Sequence, residues 1–177
     1  MEEVGGKTNM EQNILKRYNE IHIILWEEVL KVFITRTNEP IEYYKTNTEQ
    51  IETLYIASLK RTALFNLFAS GKITEYEKNN LLMNCGCAAC YIASEERNLQ
   101  YRFDSACNYC PIEKWKEKDK HCNDYCTLQN RLGDLIRYIT NCITHREKFN
   151  IGAYTSLRKA IMKKMYIVAH LEWGYGE

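Results

Sequence analysis

Seven of the eight cysteines of this 177-residue chain fall between residues 85 and 126: Cys85, Cys87, Cys90, Cys107, Cys110, Cys122 and Cys126. Four of them make two C-x2-C pairs, Cys87/Cys90 and Cys107/Cys110, with sixteen residues between the pairs. In a tight turn, residues i and i+3 aim two thiolates at one point, half of a tetrahedron with Zn–S bonds of about 2.3 Å. A second such turn closes the site. The chemistry expected is therefore a closed, structural zinc site on Cys87, Cys90, Cys107 and Cys110. The same thiolates would suit an iron–sulfur cluster, but nothing else in the chain indicates redox work. A thioredoxin-like pair needs a βαβ context, which the pattern lacks.

Further donors surround the quartet. Cys122 and Cys126 are four apart at the start of a helix, where thiols share a face and the dipole favours thiolates. His121 is adjacent and Cys85 precedes the first pair. These four complete a second zinc or exchange with members of the first set. Cys142 follows a helical core period instead and is expected inside the fold.

The run Cys87-Ala88-Ala89-Cys90-Tyr91-Ile92-Ala93, then Cys107-Asn108-Tyr109-Cys110-Pro111-Ile112-Glu113-Lys114-Trp115 and Cys122, resembles a group of small phage and prophage proteins of Gram-positive bacteria. In that group C-x2-C near a Tyr-Ala pair precedes C-x2-C-P, an aliphatic residue and a tryptophan, then another cysteine. The likeness covers residues 85–126. Here the tyrosine directly follows the cysteine, and Cys85 and Cys126 are additions. The resemblance implies a phage setting and a metal knuckle, with no assigned activity.

Catalytic patterns run the wrong way or are missing. A zinc deaminase reads H-x-E and then P-C-x-x-C, whereas His145-Arg146-Glu147 and His170-Leu171-Glu172 follow the cysteine pairs and Pro111 follows its C-x2-C. Four thiolates also leave no position for a reactive water. No H-E-x-x-H or nucleophile elbow occurs. Gly6-Lys7-Thr8 imitates the end of a phosphate loop but lacks its first glycine and a preceding strand. His22, inside an apolar run, reads as a core or boundary residue. The chain is expected not to be an enzyme.

Twenty-four basic and 23 acidic residues argue against a general polyanion binder. The balance shifts along the chain: eight Lys/Arg against four Asp/Glu over residues 128–177. Arg158, Lys159, Lys163 and Lys164 are the place where an anion would bind. Aromatic anchors for a partner are expected around the knuckles, at Tyr109, Trp115 and Tyr125.

Helices must position these groups. Ile14, Tyr18, Ile21, Leu25, Val29 and Val32 recur at spacings of three and four, predicting a helix over 11–35 that Asn38-Glu39-Pro40 ends. A second helix is expected from Asn47, with Gln50 as capping-box partner, to Ser70-Gly71. Thr74-Glu75-Tyr76-Glu77 caps a third, carrying Leu81, Leu82 and Met83 toward the cysteines. Leu128, Leu132, Leu135, Ile139 and Cys142 predict a fourth, broken at Asn150-Ile151-Gly152. Leu157, Ile161, Met165 and Val168 predict the last. The expected fold is all-α: a bundle of about five helices, 10–83 and 127–172, around a zinc-clamped insert at 84–126. Residues 1–9 are expected to be a leader before a native start at Met10, and residues 173–177 a tail.

No run approaches the ~20 apolar residues of a membrane span, and the acidic start is not a secretory signal. The protein is expected in the reducing host cytoplasm, where clustered cysteines bind metal more readily than they form disulfides. These features together suggest a phage accessory protein that binds and inhibits a host protein, in an anti-defence role. A nucleic-acid-binding zinc regulator, or a sponge for an anionic signalling nucleotide, would use the same residues differently.

Overall fold

The helix α1, Asn9–Arg36, is 28 residues long and forms the axis on which most other elements pack. A computed structural model of the chain describes residues 9–84, 86–99, 110–112 and 123–174. Tyr18, Ile21, Leu25, Val29 and Val32 are buried as the spacing predicts, but Ile14 is exposed and Leu15 takes its place in the core. Trp26 and Phe33 widen the buried surface until α1 is covered on several sides. That coverage explains why its apolar residues do not form one narrow stripe.

Beyond Pro40 a short helix α2 (Ile41–Thr46) comes first, and the expected single helix from Asn47 is two pieces, a 3-10 helix η1 (Thr48–Leu54) and α3 (Ile56–Ala69). Asn47 makes no capping bond to η1; its side-chain amide donates to the Tyr43 carbonyl at 2.9 Å instead. Tyr55 is extended, with φ −65° and ψ 147°, and this breaks the path. The break lets Ile51 and Leu54 enter the core from η1 while Leu59, Ala63, Leu64 and Leu67 enter from α3. Arg36 holds the corner, donating to the Thr53 carbonyl at 2.6 Å and to Thr62 Oγ1 at 2.7 Å.

Helix α3 stops where predicted. Gly71 adopts φ +76°, and Lys72 N–H returns to the Leu67 carbonyl at 2.9 Å, the glycine-dependent closure of a helix end. Helix α4, Glu75–Leu82, opens with the predicted box: Thr74 Oγ1 accepts from Glu77 N–H while Glu77 Oε1 accepts from Thr74 N–H. Arg17 of α1 grips the same carboxylate, Nε to Oε2 at 2.7 Å and Nη2 to Oε1 at 2.9 Å. That contact ties α4 to the central helix. Leu81 is buried, whereas Met83 is exposed.

Part of the segment expected as a zinc-clamped insert is helical. Helix α5, Ala88–Leu99, packs on α1 because Ala88, Ala89 and Ala93 are small enough for close approach. The Tyr18 and Tyr91 rings lie 4.6 Å apart across that interface. Helices α6 (Asn123–Ile143) and α7 (Ile151–Ala169) pack on each other, and α7 also lies along α1. Leu128, Leu132, Leu135, Ile139 and Cys142 are buried, which places Cys142 in the core as its spacing requires. Asn150 caps α7 through its side chain, accepting from Ala153 N–H at 2.9 Å.

Among the described residues the elements are thus seven α-helices and one 3-10 helix, more pieces than the five expected. The only β-type pairing among them is an isolated antiparallel bridge between Ile112 and Trp173. No helix among them is long and apolar enough to cross a membrane.

Candidate functional site: an aromatic seam beside a cysteine turn

The turn from α4 into α5 presents the first cysteine pair. Gly86 adopts φ +72°, and its N–H closes on the Leu81 carbonyl at 2.7 Å. Cys87 then stands just before the first turn of α5, buried, with Cys90 half-buried behind it. Cys90 N–H donates to Cys87 Sγ at 3.3 Å, and the Ala89 amide bonds the same sulfur. The Cys87 thiol is pulled down to about 6, first by a hydrogen bond from the Cys90 thiol, against burial and with help from the Lys60 charge. A sulfur held by amides at a helix start is prepared to carry negative charge.

Lys60 is an unusual neighbour. It lies on α3 with only 3% of its surface exposed. A Cβ placed on Gly86 would stand 3.2 Å from Lys60 Cβ, so the lysine stem runs against the cysteine turn itself. Its Nζ donates to the Tyr125 hydroxyl at 2.5 Å.

From there a row of side chains crosses the end of the bundle. The Tyr125 ring meets Trp26 edge-on, centroids 6.0 Å apart. Trp26 neighbours His22 at 6.5 Å, and His22 neighbours Trp173 at 5.5 Å. Trp173 pairs with Ile112, and Gly174 N–H donates to the Pro111 carbonyl at 2.7 Å. Ile112 is fully buried and Cys110 nearly so. The seam begins at one predicted half-site, Cys87/Cys90, and ends at a cysteine of the other.

His22 is fully buried, and its Nε2 lies 2.8 Å from the Val168 carbonyl, which assigns the proton to Nε2. Burial pushes its pKa down to about 4. It is a neutral core histidine, as its apolar setting predicts. Beside the seam, Asp124 is buried and pairs with Lys164 of α7 at 3.2 Å.

The predicted site residues are only partly brought together. Cys85, Cys107, Tyr109, Trp115, His121 and Cys122 lie outside the described residues. Cys87 and Cys90 are adjacent, Cys110 is buried, and Cys126 is exposed on α6. Among the described residues no group of three or more His, Cys, Asp or Glu stands as a metal cluster, so Cys87, Cys90 and Cys110 do not form one by themselves. Tyr125, expected as a partner anchor, is half-buried with its hydroxyl held by Lys60.

Two of the four cations expected to bind an anion have partners within the fold. Arg158 Nε donates to Thr37 Oγ1 at 2.9 Å, Lys164 is held by Asp124, and only Lys159 and Lys163 are exposed. Lys60 and Trp26 were not singled out by sequence. One signal was available for Lys60: it sits among Ile56, Ala63 and Leu64, where the buried face of α3 requires an apolar residue.

No protein-family model, curated protein or solved structure matches this chain.

Proposed function

We propose that this chain is a non-catalytic phage accessory protein that binds and inhibits a host component, in an anti-defence role, with a zinc-clamped cysteine segment as its recognition element. The observation that carries the reading is the seam. Lys60, Tyr125, Trp26, His22 and Trp173 line up from the cysteine turn at Gly86–Cys90 to the stretch Cys110–Ile112. An amide-bonded sulfur at Cys87 suits the first half of a thiolate metal site. Cys107 and Cys110 would provide the second half, with Cys85, His121, Cys122 and Cys126 as further donors.

Zinc there would supply folding energy to a polar segment, and the reduced host cytoplasm would keep its ligands available. A stiffened segment suits protein recognition because little entropy is lost when it docks. The test has two arms. Protein purified without added metal is assayed for zinc by elemental analysis, and an equimolar content is expected. Phage plating is then measured in hosts carrying different defence systems, with and without the chain. Plating restored in one host, and lost again in Cys87→Ser, supports the reading. Unchanged plating across the panel removes inhibition, and metal-free protein removes the clamp.

One observation favours a second reading, a sponge for an anionic signalling nucleotide. A groove of about 370 Å³ between α1 and α7 is lined by the aromatic rings of Trp26 and Tyr166, with Lys31, His170 and the carboxylate of Glu27 also lining it. Thermal-shift measurement with cyclic nucleotides distinguishes it: stabilisation at micromolar ligand supports the sponge, and no shift removes it.

A further inference from the structure

We propose that the groove between α1 and α7 is a docking site for an acidic amphipathic helix of a partner protein. The inference takes from the reading above only that the chain binds a protein, and it makes no use of the cysteines.

The two helices run antiparallel. Tyr154 and Arg158 bond to Thr37 at one end, the phenol to its carbonyl and the guanidinium to its hydroxyl. His22 reaches the Val168 carbonyl at the other. The groove lies between these ties, and its floor is apolar, with Trp26, Met165 and Ala169 all buried. Ile34 on the α1 side is 36% exposed and Tyr166 on the α7 side 61%. Both present apolar surface that nothing in the bundle covers.

The walls decide the form of the occupant. Backbone N–H and C=O groups within a helix are already paired with one another, so the groove offers an incoming main chain no ladder to join. An extended segment would face it with unpaired polar groups, whereas a helix brings its own bonds and needs only side-chain packing. From Trp26 to Ile34 α1 rises about 12 Å at 1.5 Å per residue. A partner helix presenting apolar side chains at i, i+4 and i+7 needs about 10.5 Å.

Charge decides its composition. Helix α7 carries no Asp or Glu. Lys159 and Lys163 are exposed and, among the described residues, make no ion pair. They recur with Tyr166 and His170 at spacings of four, three and four, which puts all four on one line of the helix. The two lysines thus prolong the α7 rim, and Lys31 stands on the α1 side. Glu27 is the one carboxylate among the described lining residues. Three lysines spread along the groove match a row of carboxylates beside an apolar stripe. A second copy of this chain would instead set lysine against lysine.

The test titrates the full-length protein, by fluorescence anisotropy, with two labelled synthetic peptides of about 18 residues, long enough to hold a helix. Both carry leucines at i, i+4 and i+7; glutamates flank the stripe in one and lysines in the other. The glutamate peptide should bind at micromolar concentration and the lysine peptide about tenfold more weakly, the size of two or three exposed ion pairs. Added salt should narrow the gap. Lys159→Glu/Lys163→Glu should reverse the order, and Tyr166→Ala should weaken both peptides without lowering the thermal midpoint.

Equal affinities, or binding that Tyr166→Ala and Ile34→Ala leave unchanged, would overturn the inference. So would a dimer in sedimentation that Tyr166→Ala dissolves, since a second copy would then fill the groove. Stabilisation by a cyclic nucleotide that Tyr166→Ala abolishes, with neither peptide bound, would give the groove to the sponge and overturn it too. The peptides need no host, so a plating panel without effect removes inhibition and leaves the docking site standing.

Discussion

Acid should destabilise this protein through His22 in a window set by its burial. The imidazole is fully enclosed, with Nε2–H on the Val168 carbonyl and Nδ1 without a hydrogen-bond partner among the described residues. Burial holds its pKa near 4, against 6.5 for an exposed histidine. Above pH 6.5 the ring is neutral in both folded and unfolded chains and has no effect on the equilibrium. As the pH falls below 6.5 the unfolded chain takes up a proton that the folded chain refuses until near 4. Stability is therefore lost across that interval and levels off below it, and the full loss is about 3 kcal/mol at 1.36 kcal/mol per pH unit. The assay is urea unfolding of wild type and His22→Gln at intervals from pH 7 to pH 4. Carboxylates and thiolates titrate in both proteins and cancel in the difference. The variant is less stable at pH 7, and its deficit should shrink by about 3 kcal/mol by pH 4. A deficit that stays constant across the range would refute the reasoning, because His22 would then be titrating alike in both states.

Other outcomes follow from the same packing. Trp173→Ala should lower the unfolding free energy by about 3–5 kcal/mol, while Trp173→Phe should cost less than about 1.5 kcal/mol. The difference arises because the indole Nε1 has no hydrogen-bond partner among the described residues; urea titration measures both. Gly86→Ala should cost about 1–2 kcal/mol in the left-handed conformation at φ +72° and also press on Lys60, seen as a lower thermal midpoint. Thr74→Ala should cost about 1 kcal/mol through loss of the α4 cap, read by chemical denaturation. Glu77→Gln should destabilise most above pH 4.5, because Arg17 holds that carboxylate below its ordinary value of 4.5. The gap to wild type should close as the pH falls through the lowered value.

Periodicity and stop signals carried the long elements into view. Thr74 with Glu77, and Ser70-Gly71, act within a few residues of themselves, so their meaning does not depend on the rest of the fold. The region from Asn47 to Tyr55 was illegible for the opposite reason. Its apolar residues fit one helix, and only the need to place Ile51 and Leu54 against a neighbouring surface divides it at Tyr55. The stretch 84–126 was read for its cysteines, and the alanines that pack α5 on α1 carry no such spacing signal.

The same distinction separates the parts of the site. Cys87 and Cys90 are legible because their spacing states a local geometry. Lys60 is far from them in sequence, and its place beside Gly86 depends on α3 passing against the turn between α4 and α5. The basic residues of α7 show the converse. Arg158 and Lys164 read as a free cluster beside Lys159 and Lys163, yet Thr37 and Asp124 occupy them. Charge runs along a helix do not reveal which members face a partner within the fold.

The bridge from Trp173 to Ile112 also imposes an order in time. Residues 173 and 174 are made long after Cys110, Pro111 and Ile112, so the latter cannot take their final place until the chain beyond α7 has emerged. Closing so distant a pair is slow compared with forming a helix. Hydrogen exchange should carry the trace of this order: the amide of Gly174, bonded to Pro111, should open earlier than the amides in the middle of α1.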